Sequence, residues 1–260
     1  MTTHQNALAA QLKVLRLNGI TETLDIRLRQ AADERWAFSE LLTRLFADEI
    51  ERRDQRLLQT RIRRANIAPD KTIDQFDFSF NPILNQPLIM ELATCQFVAK
   101  KVPVIVVGPT GTGKTHLGQA LAHQACLRGY NVLYAGCAGI LATLMLARVQ
   151  GDYARRLKAF LKPQLLVIDD FGLKQLRERD PEHFYDVIAG RYEAAATVIT
   201  SNRALEEWPD LFGDPLLASS GLDRLFHNAT VITITGASFR ARNRTTATAL
   251  ALKNKKESRS

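Results

Sequence analysis

Apolar residues recur at helical three- and four-residue spacing through residues 5–68, and beyond residue 100 they gather into short continuous runs. Leu8, Leu12 and Leu15 share one face of a first helix, and Asn18-Gly19 has the chemistry of a helix C-terminus. Thr21 suits the N-cap of a second helix reaching about Ala32, with Leu24 and Leu28 inward. A third runs from near Ser39 to about Asn66. Leu42, Leu45, Phe46, Ile50, Leu57 and Leu58 form its apolar stripe, with Asp48–Arg52 and Glu49–Arg53 as i,i+4 pairs. Ala68-Pro69-Asp70 ends it. Phe76–Pro87, with prolines at 82 and 87, reads as an extended linker, and Pro87 to Lys101 as a helix.

The later runs are strands: Val102–Val107, Asn131–Ala135, Leu165–Ile168, Thr197–Thr200 and Val231–Ile234. Alternating with helical segments, they predict an α/β fold, a five-stranded parallel sheet covered on both faces. A boundary between 67 and 76 gives an all-helical domain over 1–70, an α/β domain over 71–240 and a basic tail over 241–260. About 25 residues follow the fifth strand, too short a stretch for a separate C-terminal helical lid.

Composition sharpens this picture in two respects. A hydrophobic share of 46% in 260 residues supports a real core. The net charge of +8 lies at the chain ends, because acids and bases balance over 76–235. The last stretch carries Arg240, Arg242, Arg244, Lys253, Lys255, Lys256 and Arg259 against Glu257, so an anionic partner is expected. Cys95, Cys126 and Cys137 are widely spaced in apolar surroundings and read as reduced core cysteines. With no run of membrane-spanning length and a polar Met1–Ala10, the expectation is a cytoplasmic protein with no membrane partner.

The chemistry centres on Gly108, Pro109, Thr110, Gly111, Thr112, Gly113, Lys114 and Thr115. This is the G-x-x-x-x-G-K-[ST] phosphate loop, placed between a buried strand and a helix beginning at His116. Glycines let successive N–H groups point at phosphate oxygens, and the helix N-terminus adds partial positive charge. Lys114 can reach the β- and γ-phosphates of ATP, and the Thr115 hydroxyl can sit on Mg²⁺. Asp169-Asp170 follows the third strand, where α/β sheets bind ligands. Asp169 suits Mg²⁺ binding through water, and Asp170 suits orienting the attacking water. The alternative is a strand-ending turn.

Asn202, after the fourth strand, can hydrogen-bond the γ-phosphate or that water, or it can serve a Ser-Asn turn. Arg224 precedes the fifth strand. It can reach the γ-phosphate held by a neighbouring subunit, as arginine fingers do, or pair with Asp223 or Asp214. Arg52, Arg53, Arg56, Arg61, Arg63 and Arg64 crowd the third helix with few acids. Binding to phosphate is favoured over a solvated, salt-bridged face, and the lack of interleaved aromatics argues against base stacking. Arg155, Arg156 and Lys158 lie on a basic helix that reads equally as a DNA-facing surface or an ordinary cover helix.

The phosphate loop with His116-Leu117, Asp169-Asp170-Phe-Gly172 and Ser201-Asn202 resembles the AAA+ ATPases of the DnaA/DnaC initiator–loader group. Glu206-Glu-Trp208, Phe212-Gly-Asp-Pro215, Leu222-Asp-Arg224-Leu and Gly236-Ala-Ser-Phe-Arg240 are similar to the narrower IstB-like transposition helpers. Leu17-Asn-Gly-Ile20, Glu49–Arg53, Arg61–Arg64 and Thr72–Asp77 extend the likeness over nearly the whole chain. The resemblance implies an ATPase that assembles as a homo-oligomer on duplex DNA with little sequence preference. It implies too that the oligomer deforms the DNA, recruits the transposase IstA and is released by ATP hydrolysis. Lys114, Thr115, Asp169, Asp170, Asn202 and Arg224 inherit the nucleotide roles, with His116 beside them. Aspartate at 170, where many relatives carry glutamate, implies slow basal hydrolysis that a partner accelerates.

The nearest rival is a DnaC-like helicase loader. A small-molecule P-loop kinase would leave Arg224 and the basic ends without a role. The intact carboxylate pair weighs against a non-hydrolysing scaffold.

Overall fold

A computed structural model describes residues 3–81, 83–236 and 238–239. The tail expected over 241–260, and Arg240 before it, lie outside the described residues. The chain forms two compact units, Met1–Thr60 and Arg61–Ser260, and the division falls within the third helix.

The first unit holds α1 (Thr3–Val14), α2 (Asn18–Glu34) and the start of α3 (Phe38–Ala65). Three local expectations change here. Asn18-Gly19 opens α2 instead of closing α1, which ends through Arg16 at φ 56°. Thr21 lies inside α2, its hydroxyl donating to the Leu17 carbonyl at 2.9 Å. The reason is Glu49: its Oε2 accepts from the Gly19 amide at 2.6 Å and caps the start of α2 from another helix. Only glycine allows this approach, because a Cβ at 19 would meet Glu49 Cα at 2.7 Å.

The apolar stripes are also less buried than their periodicity predicts. Leu12, Ile20, Leu24 and Leu45 make a small core, while Leu42, Phe46, Ile50 and Leu57 remain 51–60% exposed. Of the two expected i,i+4 pairs, Glu49–Arg53 forms at 2.6 Å. Asp48 instead pairs with Arg27 at 2.7 Å, and Arg52 with Glu22 at 2.9 Å, since α2 offers partners of the right charge at closer reach.

In the second unit a 3₁₀ turn (Phe78–Phe80) interrupts the expected linker. The expected helix over 87–101 is broken into α4 (Gln86–Ala93) and α5 (Gln96–Ala99) by Cys95 at φ 61°. Then follow β1 (Val104–Val107), α6 (Lys114–Leu127), β2 (Val132–Gly136), α7 (Cys137–Gln150) and α8 (Tyr153–Leu161). The rest comprises β3 (Leu165–Phe171), α9 (Asp180–Arg191), β4 (Ala196–Ser201), α10 (Trp208–Phe212), α11 (Pro215–Phe226) and β5 (Thr230–Thr233). The strands pair in parallel in the order β2-β3-β4-β1-β5. Helices cover the sheet, and β1, β3 and β4 at its centre are the continuous apolar runs that burial on both faces demands.

Phe171 joins the end of β3 to the helices beyond it. Its ring centroid lies 4.5 Å from both Phe184 and Trp208, and burial of each such ring contributes about 1.5–3 kcal/mol. At the sheet's opposite edge Arg191 is buried with no carboxylate partner among the described residues. Its guanidinium donates to the Phe160 carbonyl at 2.8 Å, Pro163 at 2.9 Å and Thr197 Oγ1 at 3.0 Å, and also to Ala196. Burial pushes its pKa down to about 10. The three cysteines are buried and free, burial pushing Cys126 up to about 11 and Cys137 up to about 12. Among the described residues no helix is long and apolar enough to cross a membrane.

Candidate functional site

The phosphate loop joins the end of β1 to the first turn of α6, so its amides lie at the carboxyl edge of the sheet. Gly113 holds the N-cap position of α6 at φ 96°. Inside the loop, the Pro109 carbonyl accepts from Lys114 Nζ at 2.7 Å and from Thr112 Oγ1 at 2.9 Å. Lys114 is therefore buried and folded back over the loop, next to the space a phosphate would fill.

β3 reaches this edge irregularly. Ile168 pairs with Ile199 and Phe171 with Ser201, so β3 carries one residue more than β4 over that interval. This is a β-bulge, and Asp170 within it has φ 56°. The pair expected as a strand-ending step is thus part of the strand, which runs on to Phe171. The bulge buries Asp169 and leaves Asp170 exposed on the cleft.

Asp169 is held from three elements. Thr115 Oγ1 on α6 donates to Oδ1 at 3.1 Å, Thr200 on β4 donates to the same oxygen, and Tyr134 on β2 donates to Oδ2 at 2.5 Å. Thr200 Oγ1 in turn accepts the Asp170 amide at 3.1 Å. Burial first, and then the Asp169 carboxylate, push the Tyr134 hydroxyl well above its ordinary pKa, so it remains a donor. Thr115 Oγ1 and Asp169 Oδ1 are hard oxygens side by side, the donor type Mg²⁺ takes: the Thr115 hydroxyl would bind the ion directly and Asp169 through water.

A cleft of about 390 Å³ opens in front of these groups. Thr110 through His116 line it together with Asp170 and Asn202. Asn202 lines the cleft, and its Oδ1 is buried without a hydrogen-bond partner among the described residues. His116 is fixed at the rim by the Thr72 carbonyl, 2.9 Å from Nε2, and by edge-to-face packing on Phe76. Phe76, Phe80 and Phe239 supply an apolar flank. Sequence reasoning missed these aromatics, along with Tyr134 and Thr200. No spacing rule ties residues 76 and 239 to the loop, although the cluster of aromatics over 76–80 was a signal for something other than a bare linker.

Gly108 and Pro109 precede the part of the loop that lines the cleft. Arg224 is not brought to the cleft. It lines a smaller cavity of about 200 Å³ with Pro103, Thr197, Tyr192 and His227, at the amino edge of the strands. Neither of the expected carboxylate partners holds it, since Asp214 caps α11 through the Leu216 and Leu217 amides. Arg224 Nη1 instead donates to the Ser220 carbonyl at 2.7 Å, and the guanidinium lies 5.4 Å from the Tyr185 ring centroid.

The basic candidates divide similarly. Arg52 and Arg53 are ion-paired, whereas Arg56, Arg61, Arg63 and Arg64 form no ion pair among the described residues. Arg155 and Arg156 both pair with Asp152 at the start of α8, and Lys158 stays exposed.

The IstB-like ATP binding protein family model matches residues 10–247. The ATP-binding protein assigned to insertion sequence IS5376 of Geobacillus stearothermophilus is 34% identical over 230 residues, covering 88% of this chain and 92% of its own. That of insertion sequence IS21 in Pseudomonas aeruginosa is 34% identical over 237 residues, covering 91% and 88%. One in Mycobacterium tuberculosis is 35% identical over 239 residues, covering 92% and 95%. Among solved structures, AMPPCP-bound DnaA from Aquifex aeolicus superposes with a TM-score of 0.53 at 22% identity, over 65% of this chain and 51% of that one. The chain thus spans about half of that DnaA. The DnaC helicase loader gives 0.51 at 22% identity, over 57% of this chain and 86% of its own. The structural likeness establishes the AAA+ fold of the DnaA/DnaC group. With a family match over nearly all its length and relatives this similar end to end, the chain belongs to the IstB-like ATP-binding proteins of insertion sequences.

Proposed function

We propose that this protein is an ATP-hydrolysing transposition helper that assembles on duplex target DNA with little sequence preference, deforms it, and recruits its partner transposase, IstA. ATP hydrolysis then releases the assembly. The observation that carries the nucleotide half of this reading is the convergence on one cleft of the phosphate loop, Lys114, Thr115, Asp170 and Asn202. The insertion-sequence relatives support the transposition half and favour it over a helicase loader, whose cleft chemistry would be the same.

In this reading the loop amides and Lys114 hold the β- and γ-phosphates, and Lys114 exchanges its Pro109 carbonyl for phosphate oxygen. Thr115, and Asp169 through water, would hold Mg²⁺, which would supply positive charge against the negative charge that develops on the phosphates. Asp170 accepts a proton from the attacking water, and the Asn202 amide fixes that water or the γ-phosphate. The shorter reach of aspartate, on a bulge that sets its direction, keeps basal turnover slow. Arg224, remote from the cleft of its own subunit, completes the site of a neighbour. DNA binding falls to the arginines of α3 and to the basic face of α8, chiefly through phosphates.

The test is assembly on random-sequence duplex with ATP, ADP or no nucleotide, using wild type, Lys114→Ala and Arg224→Ala. ATP-dependent oligomers on duplex, abolished in Lys114→Ala, are expected. Equal DNA binding in all three nucleotide states would remove ATP as the switch. A footprint restricted to one recognition sequence at moderate salt would contradict phosphate-based binding.

A further inference from the structure

Asp169 would be a flexible carboxylate if its only anchor were the backbone. Its two oxygens are instead held by different parts of the sheet. On the Oδ1 side, hydrogen bonds run in one sense: the Asp170 amide donates to Thr200 Oγ1, and the Thr200 hydroxyl donates to Asp169. Thr115 joins the same oxygen from α6. Among the described residues the Oδ2 side is held by one group, the Tyr134 hydroxyl at 2.5 Å, which comes from β2 thirty-five residues earlier in the chain.

Tyr134 is itself fixed. Its strand is registered on β3 so that Tyr134 lies opposite Val167 and Gly136 opposite Asp169, and its carbonyl accepts from Asn66 Nδ2 at 3.4 Å. The phenol thus reaches Asp169 from the neighbouring strand β2.

We propose that Tyr134 is a positioning residue that locks the Asp169 carboxylate in the rotamer through which the site takes its divalent cation. This rests on the ATP–Mg²⁺ reading of the cleft. With Oδ2 tethered to β2, the Oδ1 edge stays turned toward the Thr115 hydroxyl, which can donate to Asp169 while offering a lone pair to the cation. Without the tether the carboxylate turns about χ2, and its time facing Thr115 falls. Partners that orient a metal-binding carboxylate in this way typically change metal affinity by about 10–100-fold.

The test is Tyr134→Phe, which removes one oxygen and keeps the ring that packs on the sheet. Binding of a fluorescent ATP analogue to the full chain is titrated against Mg²⁺ and repeated in EDTA, with thermal melting as a check on folding. The Mg²⁺ half-saturation is expected to rise about tenfold or more. Affinity in EDTA and the melting midpoint stay as in wild type. In an Asp169→Asn background the same substitution adds nothing further, because both changes act on one interaction.

An unchanged Mg²⁺ half-saturation, with wild type showing Mg²⁺-dependent binding, would overturn the assignment and leave the nucleotide reading standing. A loss of equal size with and without Mg²⁺ would also overturn it, marking the phenol as a packing element. Wild type that bound no nucleotide would sink the nucleotide reading and this assignment together.

Discussion

The backbone at Gly108 passes the Ile234 carbonyl so closely that a Cβ on residue 108 would lie 2.0 Å from its oxygen. The Ile234 amide bonds the Val107 carbonyl at 2.8 Å, so this approach is fixed by the pairing of β1 with β5. Gly108 also sits at φ 152°, where a side chain is strained. Gly108→Ala is expected to cost about 1–3 kcal/mol and to displace the loop. A lower melting midpoint and an ATP affinity reduced about tenfold, equivalent to 1.4 kcal/mol, should appear together. Wild-type values for both would mean the loop does not depend on this packing.

Arg224 is held by Ser220 and Tyr185, at the edge of the sheet away from its own phosphate loop. Arg224→Ala should therefore leave nucleotide binding by dilute protein unchanged. Turnover in the assembled state should fall about 10³-fold or more, and lysine should not rescue it, lacking the planar fork. Mixing Arg224→Ala with Asp170→Asn subunits, which keep the phosphate loop intact, builds some sites with both side chains intact, so part of the activity should return. Failure of the mixture to regain any would place Arg224 outside the shared site.

The arginines of α3 are not equivalent. Arg52 and Arg53 already face Glu22 and Glu49, whereas Arg56, Arg61, Arg63 and Arg64 have no carboxylate within ion-pair distance among the described residues. Affinity for random duplex measured across a salt series should fall steeply. Alanine at Arg56, Arg63 or Arg64 should flatten the slope by about 0.9 for each phosphate that is no longer neutralised. Alanine at Arg52 or Arg53 should change the slope less. The opposite ranking would show that the ion-paired arginines open to meet DNA.

Glu49 ties acid stability to the fold of the first unit. Burial opposes its ionisation, but the Arg53 guanidinium and the Gly19 and Ile20 amides outweigh that and hold the carboxyl below its ordinary pKa of 4.5. A depressed folded-state pKa contributes stability that is complete above about 4.5 and is lost as pH falls through the folded value. Helix content followed by circular dichroism should thus drop on heating at lower temperature at pH 4 than at pH 7. In Glu49→Gln that pH difference should shrink, the variant starting from a lower midpoint at pH 7. An undiminished difference would assign the acid sensitivity to other carboxylates.

The chemistry legible in the chain was local. Gly108–Thr115 carries its turn residues, its lysine and its hydroxyl within one contiguous stretch, and the runs around Val104, Leu165 and Ala196 are apolar because strands buried on both faces require it. Those features by themselves determined a parallel sheet and a phosphate loop at its carboxyl edge. Periodicity alone misplaced the burial of Leu42, Phe46, Ile50 and Leu57, since a stripe on a helix says which residues share a face but not whether another element covers it.

What tertiary structure decided was where separate stretches meet. Tyr134 and Thr200 converge on Asp169 from strands on either side of β3, and the bulge that separates the roles of Asp169 and Asp170 is visible only against the register of β4. Glu49 turned Asn18-Gly19 from a helix end into a helix start, and the ion pair expected between Asp48 and Arg52 yielded to partners on α2. Each depends on distances across the fold, which spacing along a chain does not encode.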